Sequence, residues 1–218
     1  MRRVLVLLVA ALGLALALSA EEVIEKLDAY LKAGPWEALV EGRVQTPTGE
    51  PTEIRMRVYV LPKEKIARVE FLAPDSVADN FVVITPEKVY NYLFLTNQVI
   101  VYPRGRARIE GLGISLSKLG EFEDLGAEAG LTWKLLGEEK TEKGPAYKLL
   151  GLPEDPELAG FGKVELWVLK DPPVPYRYRV FDLEDEVVVD LYWKEFKRGK
   201  FTKKDLIAYP PDAEVIEK

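Results

Sequence analysis

Residues 52–76 read TEIRMRVYVLPKEKIARVEFLAPDS, and this stretch decides the fold. Ile54, Met56, Val58 and Val60 alternate with Arg55, Arg57 and Tyr59. After Leu61-Pro62, Ala67, Val69 and Phe71 alternate with Arg68 and Glu70. A period of two puts one set of side chains on a buried face and the other toward water. The Pro-containing turn between the runs is short, and a short connection requires antiparallel pairing. The stretch is a β-hairpin.

The same reading extends outward. Strands are expected at about residues 37–46, 52–61, 65–72, 81–85, 88–94 and 98–103, then at about 132–140, 145–151, 163–170, 176–182 and 187–195. Turn signals such as Ala73-Pro74-Asp75, Thr85-Pro86 and Asp171-Pro172-Pro173 separate them. Before the first strand, Val23, Ile24, Leu27, Tyr30 and Leu31 recur at helical spacing, and Gly34-Pro35 ends that helix. The expected fold is mainly β: about eleven antiparallel strands in one coiled sheet that stays an unclosed half-barrel.

Between residues 104 and 131 the strand pattern stops. Leu112, Leu116, Leu119 and Phe122 suggest a weak amphipathic helix, punctuated by Gly111, Gly113, Gly120, Gly126 and Gly130. Each Gly inside a helix costs about 1 kcal/mol relative to Ala. This segment reads as a helical flap. The strands also carry more aromatic residues than two modest helices need, among them Tyr90, Tyr92, Tyr102, Trp133, Tyr178 and Trp193. An apolar cavity under a movable cover accounts for the surplus. Alternation nominates Met56, Val58, Val60, Val69, Phe71, Tyr90, Tyr92 and Trp133 as its strand lining. Leu27 and Leu31 would face it from the helix, with Leu116 and Leu119 from the flap.

At the start of the chain Arg2 and Arg3 precede an apolar run from Val4 to Leu18, followed by Ser19, Ala20 and two Glu. That layout is a secretory signal peptide over residues 1–20, cut after Ser19 or Ala20. Residues 21–218 then form a single domain. With no Cys in the chain, no lipidated Cys can follow the signal, so a periplasmic protein not itself lipidated is expected. Without Arg2 and Arg3 there remain 28 basic and 36 acidic residues, a formal charge of −8, which disfavours nucleic acid as a partner. Three Asn, two Gln, two Met and fifteen Pro resemble the usage of a thermophile's protein.

Catalysis is not indicated. The chain lacks His and Cys, the commonest general base and the thiolate metal ligand, and no cofactor or metal is expected. The carboxylate groups Glu121, Glu123, Asp124 and Glu184, Asp185, Glu186 read as solvated acidic faces. A basic cluster of Lys194, Lys197, Arg198, Lys200, Lys203 and Lys204 stands out in an acidic chain. It is a candidate for docking to a membrane or partner, beside the plainer reading of solubilising charge.

The hairpin at 52–76, the run FVVITPEKVYNYLFLTNQVIVYP at 81–103 and the closing segment WVLKDPPVPYRYRVFDLEDEVVVDLYWKEFKRGKFTKKDLIAYPPDAEVIEK at 167–218 together resemble the LolA-type lipoprotein carriers. That group takes in the RseB and LppX-type lipid-binding folds. The resemblance implies an eleven-stranded unclosed barrel whose helices lid an acyl-binding cavity. It also implies a periplasmic monomer that shuttles lipoprotein or lipid acyl chains between inner- and outer-membrane donor and acceptor proteins. The alternative it carries is an RseB-like lipid sensor acting through protein contact. Where the family places an Arg beside the hairpin Pro, this chain reads Leu61-Pro62-Lys63.

Overall fold

The computed structural model describes residues 18–45, 50–104 and 130–218. Helix α1 (Ala20–Lys32) starts at Ser19, whose hydroxyl accepts from the Glu22 amide at 3.2 Å. The Glu22 carboxylate accepts from the Ser19 amide at 2.8 Å in return. This reciprocal cap satisfies two amides that the helix cannot bond internally. Glu21 and Glu22 in the first turn and Lys32 in the last complement the helix dipole.

The strands follow as β1 (Trp36–Gln45), β2 (Pro51–Leu61), β3 (Ile66–Ala73), β4 (Phe81–Ile84), β5 (Lys88–Leu93) and β6 (Gln98–Pro103). The second set is β7 (Leu131–Thr141), β8 (Gly144–Pro153), β9 (Lys163–Leu169), β10 (Pro175–Phe181) and β11 (Val187–Arg198). Helix α2 (Pro156–Ala159) lies between β8 and β9, and α3 (Lys203–Ile207) precedes a final strand, β12 (Glu214–Glu217). All eleven expected strands are present, and β12 is an addition. Four residues are too few to display a period, and β12 is recruited by pairing with a distant strand.

One sheet holds all twelve, in the order β12-β6-β5-β4-β3-β2-β1-β11-β10-β9-β8-β7. The chain lays β1 to β6 outward in one direction, resumes at the far edge with β7, and returns strand by strand until β11 pairs with β1. Neighbours are antiparallel except β12, which runs parallel to β6. That single pair corrects the expectation of a wholly antiparallel sheet: β12 reaches β6 through a long connection, so the hairpin constraint does not apply. The edges β12 and β7 do not pair with each other, and the barrel stays unclosed.

Each face of the sheet is packed differently. The inner face carries Val40, Met56, Val58, Val69, Phe71, Val82, Leu149, Leu166 and Leu191 in one cluster with Val23, Ile24, Leu27 and Leu31 of α1. On the outer face of β2 to β6, the C-terminal segment covers a second cluster. Leu206 of α3 is buried there with Leu61, Ile66, Phe81, Val83, Tyr92, Val99 and Val101. Arg68 fastens the cover: its guanidinium donates to the carbonyls of Leu206 at 3.0 Å and Ala208 at 2.8 Å, and lies 3.6 Å from the centre of the Phe81 ring. Strand β4 is therefore buried on both sides, which is why FVVI reads as a continuous apolar run.

Candidate functional site

The inner face is the candidate site, and the strands position it by alternation. In β2, Met56, Val58 and Val60 point to the α1 side, and in β3 Val69 and Phe71 do. Trp133 of β7 and Leu27 and Leu31 of α1 belong to the same cluster. Eight of the twelve side chains nominated from the sequence are thus brought together. Leu116 and Leu119, like the rest of the expected flap, lie outside the described residues.

Tyr90 and Tyr92 are a correction. They belong with the outer cluster, Tyr92 stacked on Phe81 with ring centres 4.7 Å apart. Val89 and Asn91 take the inner side of β5. The error has a physical cause. An aromatic-polar-aromatic run signals the core only when the opposite face is wet, and here the C-terminal segment makes the outer face a second core. The aromatic surplus divides in the same way: Tyr102, Trp133, Tyr178 and Trp193 pack inward, while Tyr92 and Trp167 belong to outer clusters.

Sequence reasoning passes over Asn91. Among the described residues it is the one polar side chain that is buried, at 2% exposure, and its Nδ2 has no hydrogen-bond partner. The indole nitrogen of Trp133 is likewise buried and unpartnered. A lone Asn between Tyr90 and Tyr92 is the available signal, because Asn is depleted in strands.

The outer face of β8 to β11 has a different character. Arg177 holds Asp190 through two hydrogen bonds of 2.7 and 2.6 Å, and Arg179 adds a third at 3.3 Å. Burial works to raise the Asp190 carboxyl, but those bonds and charges outweigh it and hold it below its ordinary value. Lys148 reaches Glu165 at 3.0 Å, and the Trp167 indole donates to Glu139 at 2.7 Å. Beside this network lies a groove of about 570 Å³ bordered by Glu41, Arg43, Glu53, Arg55 and Asp190. Ile54, Ala73 and Tyr192 line it as well.

The basic cluster lies at the surface, with Lys194 half-buried, and several of its members are engaged within the fold. Lys194 is the extra residue of a bulge in β11 opposite Leu39 and Val40, and its carbonyl accepts from Lys143. Lys197 pairs with Glu37 at 2.8 Å. Arg198 donates to the carbonyls of Tyr30 at 2.5 Å and Gly34 at 3.0 Å, so it serves the C-terminus of α1. Lys200, Lys203 and Lys204 are exposed. The acidic trio Glu184, Asp185 and Glu186 lies in the exposed β10–β11 turn, where Asp182 accepts from the amides of Glu184 and Glu186. The other trio, Glu121, Glu123 and Asp124, lies outside the described residues.

The chain matches no family model and no curated protein sequence. Among solved structures it resembles an uncharacterized conserved protein from Thermus thermophilus, with 34% identity over 91% of this chain and 99% of that one and a TM-score of 0.69. A DUF1329 family protein from Desulfovibrio piger superposes with a TM-score of 0.53 at 12% identity, covering 87% of this chain and 98% of that one. Pseudomonas aeruginosa MucB, in its complex with MucA, superposes with a TM-score of 0.50 at 14% identity, covering 90% of this chain and 63% of that one. These last two share the fold alone. With its unclosed sheet and N-terminal helix, the chain has the LolA-like fold, and it belongs to the family of the Thermus thermophilus protein.

Proposed function

We propose that this protein is an exported periplasmic carrier whose inner face takes up the acyl chains of lipids or lipoproteins and hands them between envelope membranes. One observation carries the reading: an unclosed sheet presents a continuous apolar inner face, and α1, thirteen residues long, packs on it. A short helix can move aside at smaller cost than a paired strand, since it gives up no interstrand ladder. The energetic advantage is large. At about 0.8 kcal/mol per methylene, a 16-carbon chain faces roughly 12 kcal/mol on leaving an apolar site for water. A carrier removes that barrier by exchanging one apolar environment for another, with no covalent step.

The proposed lining is Leu27 and Leu31 of α1 with Met56, Val58, Val60, Val69, Phe71 and Trp133 of the sheet. Residues 1–20 would direct export. A sensor is the second reading, supported by the fold shared with MucB, whose structure includes MucA as a partner.

Native mass spectrometry of protein purified from its own envelope, followed by organic extraction, tests both. A discrete acyl-bearing ligand is expected. Transfer of that ligand to acceptor vesicles would favour the carrier, and retention with altered binding of a protein partner the sensor. An empty protein that also refuses a fluorescent fatty-acid probe would sink both readings.

A further inference from the structure

We propose that Asn91 and Trp133 are hydrogen-bond donors for the acyl carbonyl oxygens of a ligand held on the inner face; the inference rests on the lipid-binding reading above. Asn91 Nδ2 and Trp133 Nε1 are buried side-chain donors without a hydrogen-bond partner, and no other such atom occurs among the described residues. Asn91 is 2% and Trp133 8% exposed. Both stand on the inner side of the sheet: Asn91 follows the inward Val89 by two residues, and Trp133 belongs to the α1 cluster.

Equivalent groups elsewhere in the molecule are satisfied. The Trp167 indole donates to Glu139 on the outer face. Asn97 donates to Asp212 and accepts from Tyr92, and Asn80 accepts from the Phe94 amide. A buried donor without a protein partner is destabilising unless a water, an ion or a ligand supplies the acceptor.

The surroundings define the acceptor. Asn91 sits in register between Val82 and Ile100, and the row continues through Val69 to Val58. Three strand spacings separate Asn91 from Val58, so apolar side chains run about 14 Å along the sheet from the amide. A neutral donor in apolar surroundings fits a neutral acceptor. A phosphate or carboxylate would require a charged partner beside it to offset the loss of water. The neutral acceptor at the head of an esterified or amide-linked acyl chain is its own carbonyl, in a glycerol ester or in the amide of an acylated protein.

The test compares two phospholipids of identical headgroup and chain length, one with ester-linked and one with ether-linked chains, because the ether lacks the carbonyl. Wild-type protein is expected to bind the diester about fivefold more tightly. Asn91→Leu removes the amide while keeping the volume, and Trp133→Phe removes the indole N–H while keeping a ring. Each is expected to reduce the ester preference, with binding of the diether lipid unchanged or tighter. Equal wild-type affinity for the two lipids would overturn the assignment and leave lipid binding intact, and this comparison needs no variant to fold. A preference that survives in both folded variants would overturn it too. Failure of the wild type to bind either lipid would remove the lipid-binding reading, and the assignment with it.

Discussion

The indole of Trp133 in β7 lies against the bare backbone of Gly151, its cross-strand partner in β8. A Cβ on Gly151 would stand 2.8 Å from the ring and 2.7 Å from the Val164 side chain. The absence of a side chain at 151 is what lets a ring this large lie down on the sheet near its β7 edge. An aromatic covering a cross-strand glycine recovers packing that the glycine forfeits.

Gly151→Ala is therefore expected to lift Trp133 from the sheet and to cost roughly 1–3 kcal/mol, the usual range for overpacking a tight interior. Thermal denaturation measures the loss, and a red-shifted tryptophan emission would report the displaced ring. An unchanged melting temperature would mean that β7 shifts freely to make room.

Arg198 ties the end of β11 to the end of α1 through the carbonyls of Tyr30 and Gly34, with its guanidinium 4.2 Å from the centre of the Tyr30 ring. Replacement by Ala should cost about 1–2 kcal/mol, combining charge-assisted hydrogen bonds with a solvent-exposed cation–π contact. Hydrogen exchange in the last turn of α1 should accelerate. Lys203→Ala and Lys204→Ala, at exposed positions on α3, should leave both measurements within error.

Asp190 gives the fold an acid sensitivity. Arg177 and Arg179 hold its carboxyl below the ordinary value, so the folded state favours the charged form more than the unfolded state does. Its contribution is fully present above the unfolded value of about 3.9 and is lost as the pH falls through the lower folded value. Asp190→Asn should lower stability at neutral pH and flatten the decline below about pH 4. Urea midpoints collected between about pH 2 and pH 7 test this. Parallel curves for the two proteins would contradict it.

Ser19 is the N-cap of α1, and Leu18 packs against the core. If residues 1–20 are a leader cut after Ala20, the exported protein loses both. A cut after Ala17, where Ala15 and Ala17 stand in the A-x-A arrangement, keeps them. Intact mass of the exported protein distinguishes these cuts, a chain beginning at Leu18 being the one that keeps the cap. Ser19→Ala in that form should cost about 1 kcal/mol, as loss of an N-cap does. A mature chain beginning at Ala20 or Glu21 would show that α1 forms without this cap.

Elements whose face is set by the solvent were legible in the sequence, because one side meets water and the other does not. The hairpin of β2 and β3 is the clearest case: Met56, Val58, Val60, Val69 and Phe71 all lie on the side that alternation assigned to them. Helix α1 was legible for the same reason, as were the strand count through β11 and the openness of the sheet. Where the C-terminal segment folds back over β2 to β6 the rule fails. Both faces are dry there, so Tyr90 and Tyr92 turn outward while Asn91 goes in, and β12 joins β6 in parallel without any local pattern of its own. The contacts of Arg68 and of Arg198 were illegible for a related reason. A long cationic side chain exposed by pattern can be claimed by carbonyls more than a hundred residues away, and only the tertiary structure brings those within reach.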